Sequence, residues 1–494
     1  MKICFITFGC KVNICETEAM SQTLRAAGHE IVTEQDKAEI FVINSCTVTA
    51  ESDSKLMQTL RRLKRDHPNT VTVLTGCFPQ AFPEKAAAGD LPADIISGNT
   101  DRSSLPRLID EYFGTSPRMP LCRIIPHSPK EAFEDLSISS SQVQRTNPNS
   151  TAQCNTLQQT PASCLPNSCL RQHTRAFLKI QDGCPGGCAY CIIPKARGNI
   201  RSKPIESIVA ESEKLAAQGY KEIVLTGINL AFYGCDLCEP NGHSAPNGNN
   251  GSNGNDSHSG KLRLIDAVEA VCAVKGIERV RIGSLEPERI TDGDISRLAA
   301  LESFCPCFHL SLQSGCGKTL AAMNRRYTPE MYSELVDKLR SAFSDCGITT
   351  DIMTGFPGET EEDHRESMEF ARKIGFSDIH VFPYSVREGT PAANMPQVQV
   401  DVKKRRAKEF SELAEASARK FRESLIGKSF PVLFERERAD NIPHGYTPNY
   451  VHVKILTKNS EKSLRNSIFY VTIDKIGDDC CYGQLDRNNI SERE

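Results

Sequence analysis

Short apolar segments alternate with amphipathic segments along most of this chain, and this alternation restricts the fold more than any other feature. Apolar runs bounded by glycine or polar residues, with helical periodicity between them, are typical of parallel sheets. Between residues 175 and 400 the unit occurs six times, which predicts an open or partial (β/α) barrel. A doubly wound sheet is the alternative. The predicted strands are Phe177–Gln181, Glu222–Thr226, Arg279–Ser284, His309–Gln313, Thr349–Thr354 and Ile379–Tyr384, and the helices include Ile205–Ala217, Leu262–Val274, Pro329–Ser344 and Glu361–Ile374.

The first 120 residues show the same alternation and predict a separate open parallel sheet in an α/β fold. Its strands are Ile3–Phe8, Ile40–Asn44 and Val71–Thr75, and its helices are Glu16–Ala27 and Glu51–Arg65. Residues 121–174 and 235–261 are rich in small polar residues and predict flexible insertions.

The last part of the chain changes pattern twice. Residues 401–426 predict an amphipathic helix with many basic residues. Residues 427–490 contain short β segments, which predict a small antiparallel barrel. These segments are Phe430–Phe434, Tyr450–Ile455, Ile468–Ile473 and Tyr482–Leu485.

Composition limits the class of protein. A formal net charge of -3 means that any contact with nucleic acid must use a local basic patch. The apolar run Met1–Gly9 is too short for an export signal, and no segment has the length of a membrane span. We therefore expect a cytoplasmic protein whose 21 cysteines are reduced, with some of them binding metal.

A run of three closely spaced cysteines is the strongest indication of a metal-binding catalytic site in the sequence. Cys184, Cys188 and Cys191, which we call the loop cysteines, directly follow a predicted strand. Three thiolates can bind three irons of a 4Fe–4S cluster and leave the fourth iron open for a substrate. A zinc loop is the alternative, but zinc sites usually use paired C-x-x-C units, and no obvious partner pair lies at zinc-finger spacing from this run.

The spacing of the loop cysteines, directly after the first predicted barrel strand, resembles the cysteine signature of the radical S-adenosylmethionine (SAM) superfamily. The resemblance implies that SAM chelates the open iron and is cleaved by one-electron reduction to methionine and a 5′-deoxyadenosyl radical. It also implies that Tyr190 packs near the adenine of SAM. The rest of the pocket would come from strand ends, where (β/α) barrels carry their active sites. The candidate residues are Thr226, Gly227, Ser284, Glu286, Ser311, Gln313 and Asp351.

A second set of cysteines follows three strands of the first domain. Cys10, Cys46 and Cys77, which we call the sheet cysteines, each come directly after a predicted strand. The carboxyl ends of parallel strands lie along one edge, so the three thiols can converge and ligate a second cluster. The alternative is that they are buried apolar side chains, as many cysteines are.

The motifs around the sheet cysteines resemble the methylthiotransferases, and within them the MtaB-type branch acting on threonylcarbamoyladenosine in tRNA. The likeness covers nearly the whole chain apart from the two insertions. It rests on Gly9-Cys10-Lys11-Val12-Asn13, Asn44-Ser45-Cys46-Thr47, Gly76-Cys77, Arg197-Gly198 and Leu225-Thr226-Gly227. The resemblance implies two 4Fe–4S clusters, one chelating SAM and an auxiliary one carrying the transferred sulfur. It also implies a tRNA substrate and an electron donor such as flavodoxin or ferredoxin.

Two features depart from the family pattern. Cys15 stands where the branch usually has an aromatic residue; we interpret it as a neutral replacement, although its thiol could compete for iron. Cys235 and Cys238 lie at the edge of the second insertion and could bind metal, with incidental cysteines as the favoured alternative.

RNA binding is expected at the end of the chain. Residues 427–490 resemble a TRAM domain, with Gly445-Tyr446-Thr447-Pro448-Asn449-Tyr450 carrying the likeness. The basic helix could bind phosphates, or its charges could form an ordinary solvated face. Arg197, Arg201 and Lys203 follow the loop cysteines and are expected to touch substrate or SAM.

Three other functions remain open. The chain could modify isopentenyladenosine in tRNA or a ribosomal-protein aspartate, but the Lys11-Val12-Asn13 triplet favours threonylcarbamoyladenosine. It could also be a non-catalytic iron–sulfur regulator, which would require a fully ligated cluster.

Overall fold

A computed structural model describes residues 1–135, 174–237, 262–435, 442–456 and 463–486. These residues form a parallel sheet, a curved parallel sheet and a closed barrel, in that order along the chain. Most of both predicted insertions, including Cys154, Cys164, Cys169 and Cys238, lies outside the described residues. Within those ranges, no helix is both long enough and apolar enough to cross a membrane.

The first unit is a six-stranded parallel sheet with the order β2-β1-β3-β4-β5-β6. Its strands are β1 (Lys2–Thr7), β2 (Glu30–Val32), β3 (Ile40–Ser45), β4 (Val71–Gly76), β5 (Ile95–Ser97) and β6 (Leu121–Arg123). Its helices are α1 (Lys11–Ala26), α2 (Ala50–Asp66), α3 (Cys77–Ala81), α4 (Pro83–Ala87) and α5 (Leu105–Gly114). Strands β3 and β4 are central and buried along their whole length. Since Ile95 of β5 pairs with Leu121 of β6, the sheet continues past the expected boundary at residue 120.

The second unit is an open arc of parallel strands. β7, β10 and β11 pair in one sheet, β12 to β15 pair in another, and Gly283 alone separates β11 from β12. The arc is a partial barrel, because β7 and β15 are not paired within the described residues. The strands are β7 (Arg175–Lys179), β10 (Glu222–Thr226), β11 (Arg279–Ile282), β12 (Ser284–Leu285), β13 (Cys307–Leu310), β14 (Gly347–Thr354) and β15 (Asp378–Pro383), with a small ribbon of β8 (Gln181–Asp182) and β9 (Arg201–Ser202) beside them.

Helices cover the outside of this arc. They are α7 (Ile205–Ala217), α8 (Leu264–Cys272), α9 (Asp292–Ala299), α10 (Gly317–Ala322), α11 (Pro329–Ala342) and α12 (Glu361–Ile374). The short helix α6 (Ile193–Arg197) packs instead against the first unit, whose core includes Ala196. Alternate strand residues such as Leu225, Phe308 and Ile352 pack into the core under the helices. The residues between them therefore face the inside of the arc, since side chains alternate along a strand.

The third unit is a closed five-stranded barrel preceded by helix α13 (Val400–Glu423). Its strands are β16 (Ser429–Phe434), β17 (His444–Tyr446), β18 (His452–Ile455), β19 (Ile468–Ile476) and β20 (Cys481–Leu485). The barrel docks against the amino ends of the arc strands. Arg279 donates to the carbonyl of Tyr446 at 2.9 Å, and Arg281 donates to the carbonyl of Pro448 at 2.8 Å. The expected fold class is confirmed, and the barrel is antiparallel except for the parallel pair of β18 and β20.

Candidate functional site

The loop cysteines lie at the carboxyl end of the arc, in the segment that follows β7 and β8. Backbone hydrogen bonds hold this loop: the Cys184 N–H donates to Gly198, and the Ala189 N–H donates to Met323. All three thiols are half-buried.

Glycines leave space between the loop cysteines. A Cβ on Gly186 would lie 3.1 Å from the Cys184 sulfur and 3.9 Å from the Cys188 sulfur. Gly183 has φ +71°, and a Cβ there would lie 1.8 Å from the backbone oxygen of Asn199. The loop therefore requires glycine at position 183, and the space at 186 suits a group bound between the thiols.

The donor set suits an iron–sulfur cluster. Three thiolates from one loop form a donor set for a four-iron cluster with one open iron. The space above Gly186 lies between two of these thiols, where such a group would be bound.

Three N–H groups point at the loop sulfurs. Arg325 donates to the Cys188 sulfur at 3.3 Å, and Asn229 and the Gly186 N–H donate to the Cys184 sulfur at 3.5 and 3.3 Å. Such donors stabilise negative charge on sulfur. Neither Arg325 nor Asn229 was predicted from the sequence as a site residue. Asn229 follows a strand end closely enough to be found, but Arg325 lies between two helices.

Arg325 also organises part of the predicted SAM pocket. It pairs with Glu286, with 3.2 Å between Nη1 and Oε1, and donates to the Ser311 carbonyl at 3.1 Å. Burial raises the pKa of Glu286, although the Arg325 guanidinium opposes that shift. Glu286 and Ser311 are therefore brought to the Cys188 side of the loop.

Gln313 is the most unusual residue of the predicted pocket. It is buried with φ +68°, a left-handed conformation that costs roughly 1–3 kcal/mol for a non-glycine residue. Its Oε1 atom is buried without a hydrogen-bond partner in the described structure, and so is the Oδ1 atom of Asn229. Buried oxygens of this kind normally have donors, so a ligand with N–H or O–H groups fits here.

The other predicted pocket residues differ in exposure. Thr226 is buried at the end of β10, Ser284 is exposed, and Tyr190 is half-buried. A Cβ on Gly227 would lie 2.9 Å from Gln181, which leaves no room for a side chain. The Tyr190 ring meets Phe356 edge-on, with 6.5 Å between the ring centroids, so an apolar surface lies next to Cys191.

Asp351 was expected among the strand-end residues, but it lies inside β14, which ends at Thr354 as predicted. Its carboxylate is 3.1 Å from His309 Nε2 and 3.5 Å from His380 Nδ1. Burial alone would raise the pKa of Asp351, but the two histidines outweigh burial and lower that pKa overall. In return, the carboxylates of Asp351 and Asp378 raise the pKa of His380 to about 10. Asp351 is thus already partnered within the arc.

The sheet cysteines converge at the carboxyl edge of the first sheet. Cys10 precedes α1, Cys46 follows β3, and Cys77 begins α3. A Cβ on Gly9, which has φ +103°, would lie 2.9 Å from the Cys46 sulfur. Cys46 and Cys77 are buried, whereas Cys10 is exposed. The expected convergence is therefore observed, with one open side.

A buried ion network separates the two cysteine sets. Its members are Glu16 and Arg102 of the first unit and Lys179, Asp182, Arg197 and Arg201 of the second. Glu16 is central, at 2.9 Å from Arg102 and 2.7 Å from Lys179. Burial alone would raise the pKa of Glu16, but Arg102, Arg197 and Lys179 lower it to about 2. The network joins the two units through charges with almost no access to solvent.

The expectation that Arg197, Arg201 and Lys203 touch substrate or SAM is wrong for the described conformation. All three side chains are buried. Arg201 lies 3.3 Å from Asp182, and Lys203 lies 3.1 Å from Asp135. The sequence could not reveal these acidic partners, because most of them come from other segments.

Of the two unusual cysteines, Cys15 lies on α1, close to Cys10 of the sheet set, and Cys235 lies near the second predicted insertion. Cys15 lines a cavity of about 260 Å³ with Glu18, Phe133 and Lys179. Burial, Glu18 and Glu16 raise the pKa of its thiol well above the ordinary value. Cys235 is exposed, and its sulfur accepts a hydrogen bond from Arg289 at 3.3 Å.

The basic helix and the TRAM-like segment make internal contacts. On α13, the exposed Arg405 pairs with Glu409 at 2.8 Å, as the alternative of a solvated charged face predicts. Arg406, by contrast, is buried and pairs with Glu359 at 3.0 Å. Tyr446 and Tyr450 stack with 4.9 Å between their centroids, and Arg175 lies over both rings. These aromatic rings therefore help to dock the barrel.

Two family profiles match the chain. Residues 2–98 match the Uncharacterized protein family UPF0004, and residues 178–371 match the Radical SAM superfamily. The fold is similar to the radical SAM methyltransferase TsrM from Kitasatospora setae, solved with tryptophan and a SAM analogue, with a TM-score of 0.51 and 15% identity over 79% of this chain and 75% of that one. This likeness concerns the fold.

Relatives in sequence match nearly the whole chain. It is 34% identical over 481 residues to the threonylcarbamoyladenosine tRNA methylthiotransferase MtaB of Bacillus subtilis, covering 96% of this chain and 94% of that protein. It is 32% identical to the tRNA-2-methylthio-N(6)-dimethylallyladenosine synthase of Caldicellulosiruptor saccharolyticus, covering 90% and 84%. With both cysteine sets in place on the matching folds, the chain belongs to the radical SAM methylthiotransferases and to their MtaB-type branch.

Proposed function

We propose that the chain transfers a methylthio group to C2 of N6-threonylcarbamoyladenosine next to the anticodon of tRNA. As a radical SAM methylthiotransferase it is an enzyme, and its cofactors are SAM and 4Fe–4S clusters. The observation that carries the proposal is that two cysteine sets, on two different units, lie on either side of one buried ion network.

Each cysteine set has its own role in this proposal. The loop cysteines hold the cluster that chelates SAM, since three thiolates leave one iron open. The sheet cysteines hold the auxiliary cluster. When bound, these groups supply a radical that removes a hydrogen atom from an unactivated C–H bond, and a sulfur that takes its place.

The residues around the loop orient SAM. Gln313 and Asn229 offer unpartnered buried oxygens as acceptors, and Glu286 offers a carboxylate held by Arg325. Tyr190 offers an apolar surface for the adenine ring. Thr226, Gly227, Ser284, Ser311 and Asp351 complete the proposed pocket. Asp351 acts through His309 and His380 in this view, because its carboxylate is occupied.

The partners follow from the same reaction. The TRAM-like unit, residues 427–490, binds the tRNA, and a flavodoxin or ferredoxin supplies the electron. The reaction takes place in the cytoplasm, where such electron donors and reduced thiols are found.

Paired cysteine variants test the division of roles. After anaerobic reconstitution with SAM and dithionite, Cys188→Ala should form no 5′-deoxyadenosine. Cys46→Ala should still cleave SAM but yield no methylthio product. Cys122→Ala, an exposed cysteine outside both sets, is the matched control and should behave like the unmodified protein. If Cys46→Ala lost SAM cleavage as completely as Cys188→Ala while its loop cluster was intact, the division of roles between the two cysteine sets would be contradicted. A regulator would cleave no SAM even when fully loaded with iron.

The nucleoside substrate needs a separate test. Nucleoside mass spectrometry of tRNA from a strain lacking the gene should show loss of 2-methylthio-N6-threonylcarbamoyladenosine. Isopentenylated tRNA and ribosomal protein provide the two alternative substrates in the purified assay. Unchanged methylthio-threonylcarbamoyladenosine in that strain would refute the choice of nucleoside.

A further inference from the structure

Arg197 makes contacts that the reaction described above does not use. It ends the short helix α6, which begins just after Cys191, and its side chain is fully buried. Its Nε–H donates to the Cys77 sulfur at 3.3 Å. It therefore runs from the loop of one cysteine set to a sulfur of the other.

The guanidinium is fixed by further contacts in the first unit. Its Nη2–H donates to Asn13 Oδ1 at 2.6 Å and to Glu16 Oε2 at 3.1 Å, and within its own unit its Nη1 lies 3.4 Å from Asp182. Asn13 in turn donates to the Ser45 carbonyl at 3.0 Å, directly before Cys46. Since a planar guanidinium holds several partners at once, its orientation toward Cys77 is determined.

From these contacts we propose that Arg197 is a positioning residue that holds Cys77 in place for the auxiliary cluster and raises the reduction potential of that cluster. The inference rests on the proposed function, because it takes the sheet cysteines as the ligands of that cluster. A charged N–H donor at a ligand sulfur favours the reduced, more negative state.

The surrounding charges identify the contact that matters. The cationic side chains Arg102 and Arg201 are neutralised from outside by Glu134 at 3.2 Å and Glu131 at 3.5 Å. The network as a whole therefore has no clear excess of positive charge near the cluster. The direct N–H to sulfur contact of Arg197 is what sets the direction of the effect.

Arg197→Lys is the informative variant, because it retains the positive charge but cannot hold Cys77, Asn13 and Glu16 together. Arg102→Lys is the matched control, since Arg102 is equally buried on Glu16 and donates to no sulfur among the described residues. Both changes are made in protein whose loop cysteines are replaced by alanine, so that the auxiliary cluster can be observed by itself.

The readout is a dithionite titration of the auxiliary cluster followed by electron paramagnetic resonance. Arg197→Lys should lower the midpoint potential by about 59 mV or more, which corresponds to a tenfold change in a one-electron equilibrium. Arg102→Lys should leave the potential unchanged. No shift in Arg197→Lys, or an equal shift in both variants, would overturn the inference.

A second measurement needs no change at Arg197 and covers the case in which Arg197→Lys fails to fold. The loop-cysteine alanine protein is labelled with [15N]arginine, and pulsed electron paramagnetic resonance of the reduced cluster should detect a coupled arginine nitrogen. If the cluster assembles but shows no such coupling, the inference about Arg197 is overturned while the proposed function stands. Failure of any auxiliary cluster to assemble on intact sheet cysteines would overturn the proposed function and the inference with it.

Discussion

Replacing Glu16 by Gln tests whether the buried ion network holds the first two units together. The change preserves the shape of the side chain but removes the negative charge that faces Arg102, Lys179 and Arg197. The pKa of Glu16 is about 2, against an ordinary value of 4.5. At 1.36 kcal/mol for each pH unit of this difference, the charged form contributes about 3 kcal/mol to stability at neutral pH.

Urea unfolding at neutral pH measures this contribution. The cluster-free chain is used, so that acid-labile clusters do not affect the pH series. Glu16→Gln should lower the free energy of unfolding by about 3 kcal/mol, as expected when one partner of a buried ion network is neutralised. The control Glu51→Gln breaks an exposed pair with Lys55 and should leave the free energy of unfolding unchanged.

The pH dependence gives an independent check. Because the pKa of Glu16 is lowered in the folded chain, its contribution is fully present above pH 4.5 and is lost as the pH falls toward 2. The difference between unmodified protein and Glu16→Gln should therefore shrink over that interval. Equal stability of the two proteins at neutral pH would refute the view that this network fixes the two units.

Two further substitutions test the loop. Gly183→Ala should prevent iron binding at the loop cysteines, because the added Cβ meets a backbone oxygen at 1.8 Å; Gly89→Ala, also at positive φ but in open space, should leave iron content unchanged. Arg325→Gln should slow SAM cleavage roughly 10- to 100-fold, since it removes a charged hydrogen bond to Cys188 worth about 1.5–3 kcal/mol. Arg289→Gln, whose sulfur contact lies outside both cysteine sets, should cleave SAM at the normal rate. Normal iron content in Gly183→Ala, or normal cleavage in Arg325→Gln, would contradict the loop geometry.

The strands and the places of the six cysteines could be predicted from the sequence. Buried parallel strands are continuous apolar runs, so Glu222–Thr226 was placed with both ends correct. Cysteines that directly follow such runs must lie at the carboxyl edge of a sheet, which is why the sheet cysteines converge as expected.

The partners of charged side chains could not be predicted in the same way. Arg197 and Glu16 are 181 residues apart in sequence, and no local pattern links them. Exposure on a loop was the simple expectation for Arg197, but the docking of two units buries it. Strand β17 was missed for a different reason: it has three residues around Gly445, where a Cβ would lie 2.2 Å from the carbonyl oxygen of Leu433.

The positions of the units restrict how an RNA can be held during the proposed reaction. Both cysteine sets lie at carboxyl ends of strands, and the sheet set is open on the side of Cys10, its exposed member. The closed barrel docks at the opposite, amino ends of the arc through Arg279 and Arg281. An RNA gripped by that barrel while one base reacts between the cysteine sets must therefore extend along the length of the arc, so RNA affinity and base chemistry depend on separate surfaces.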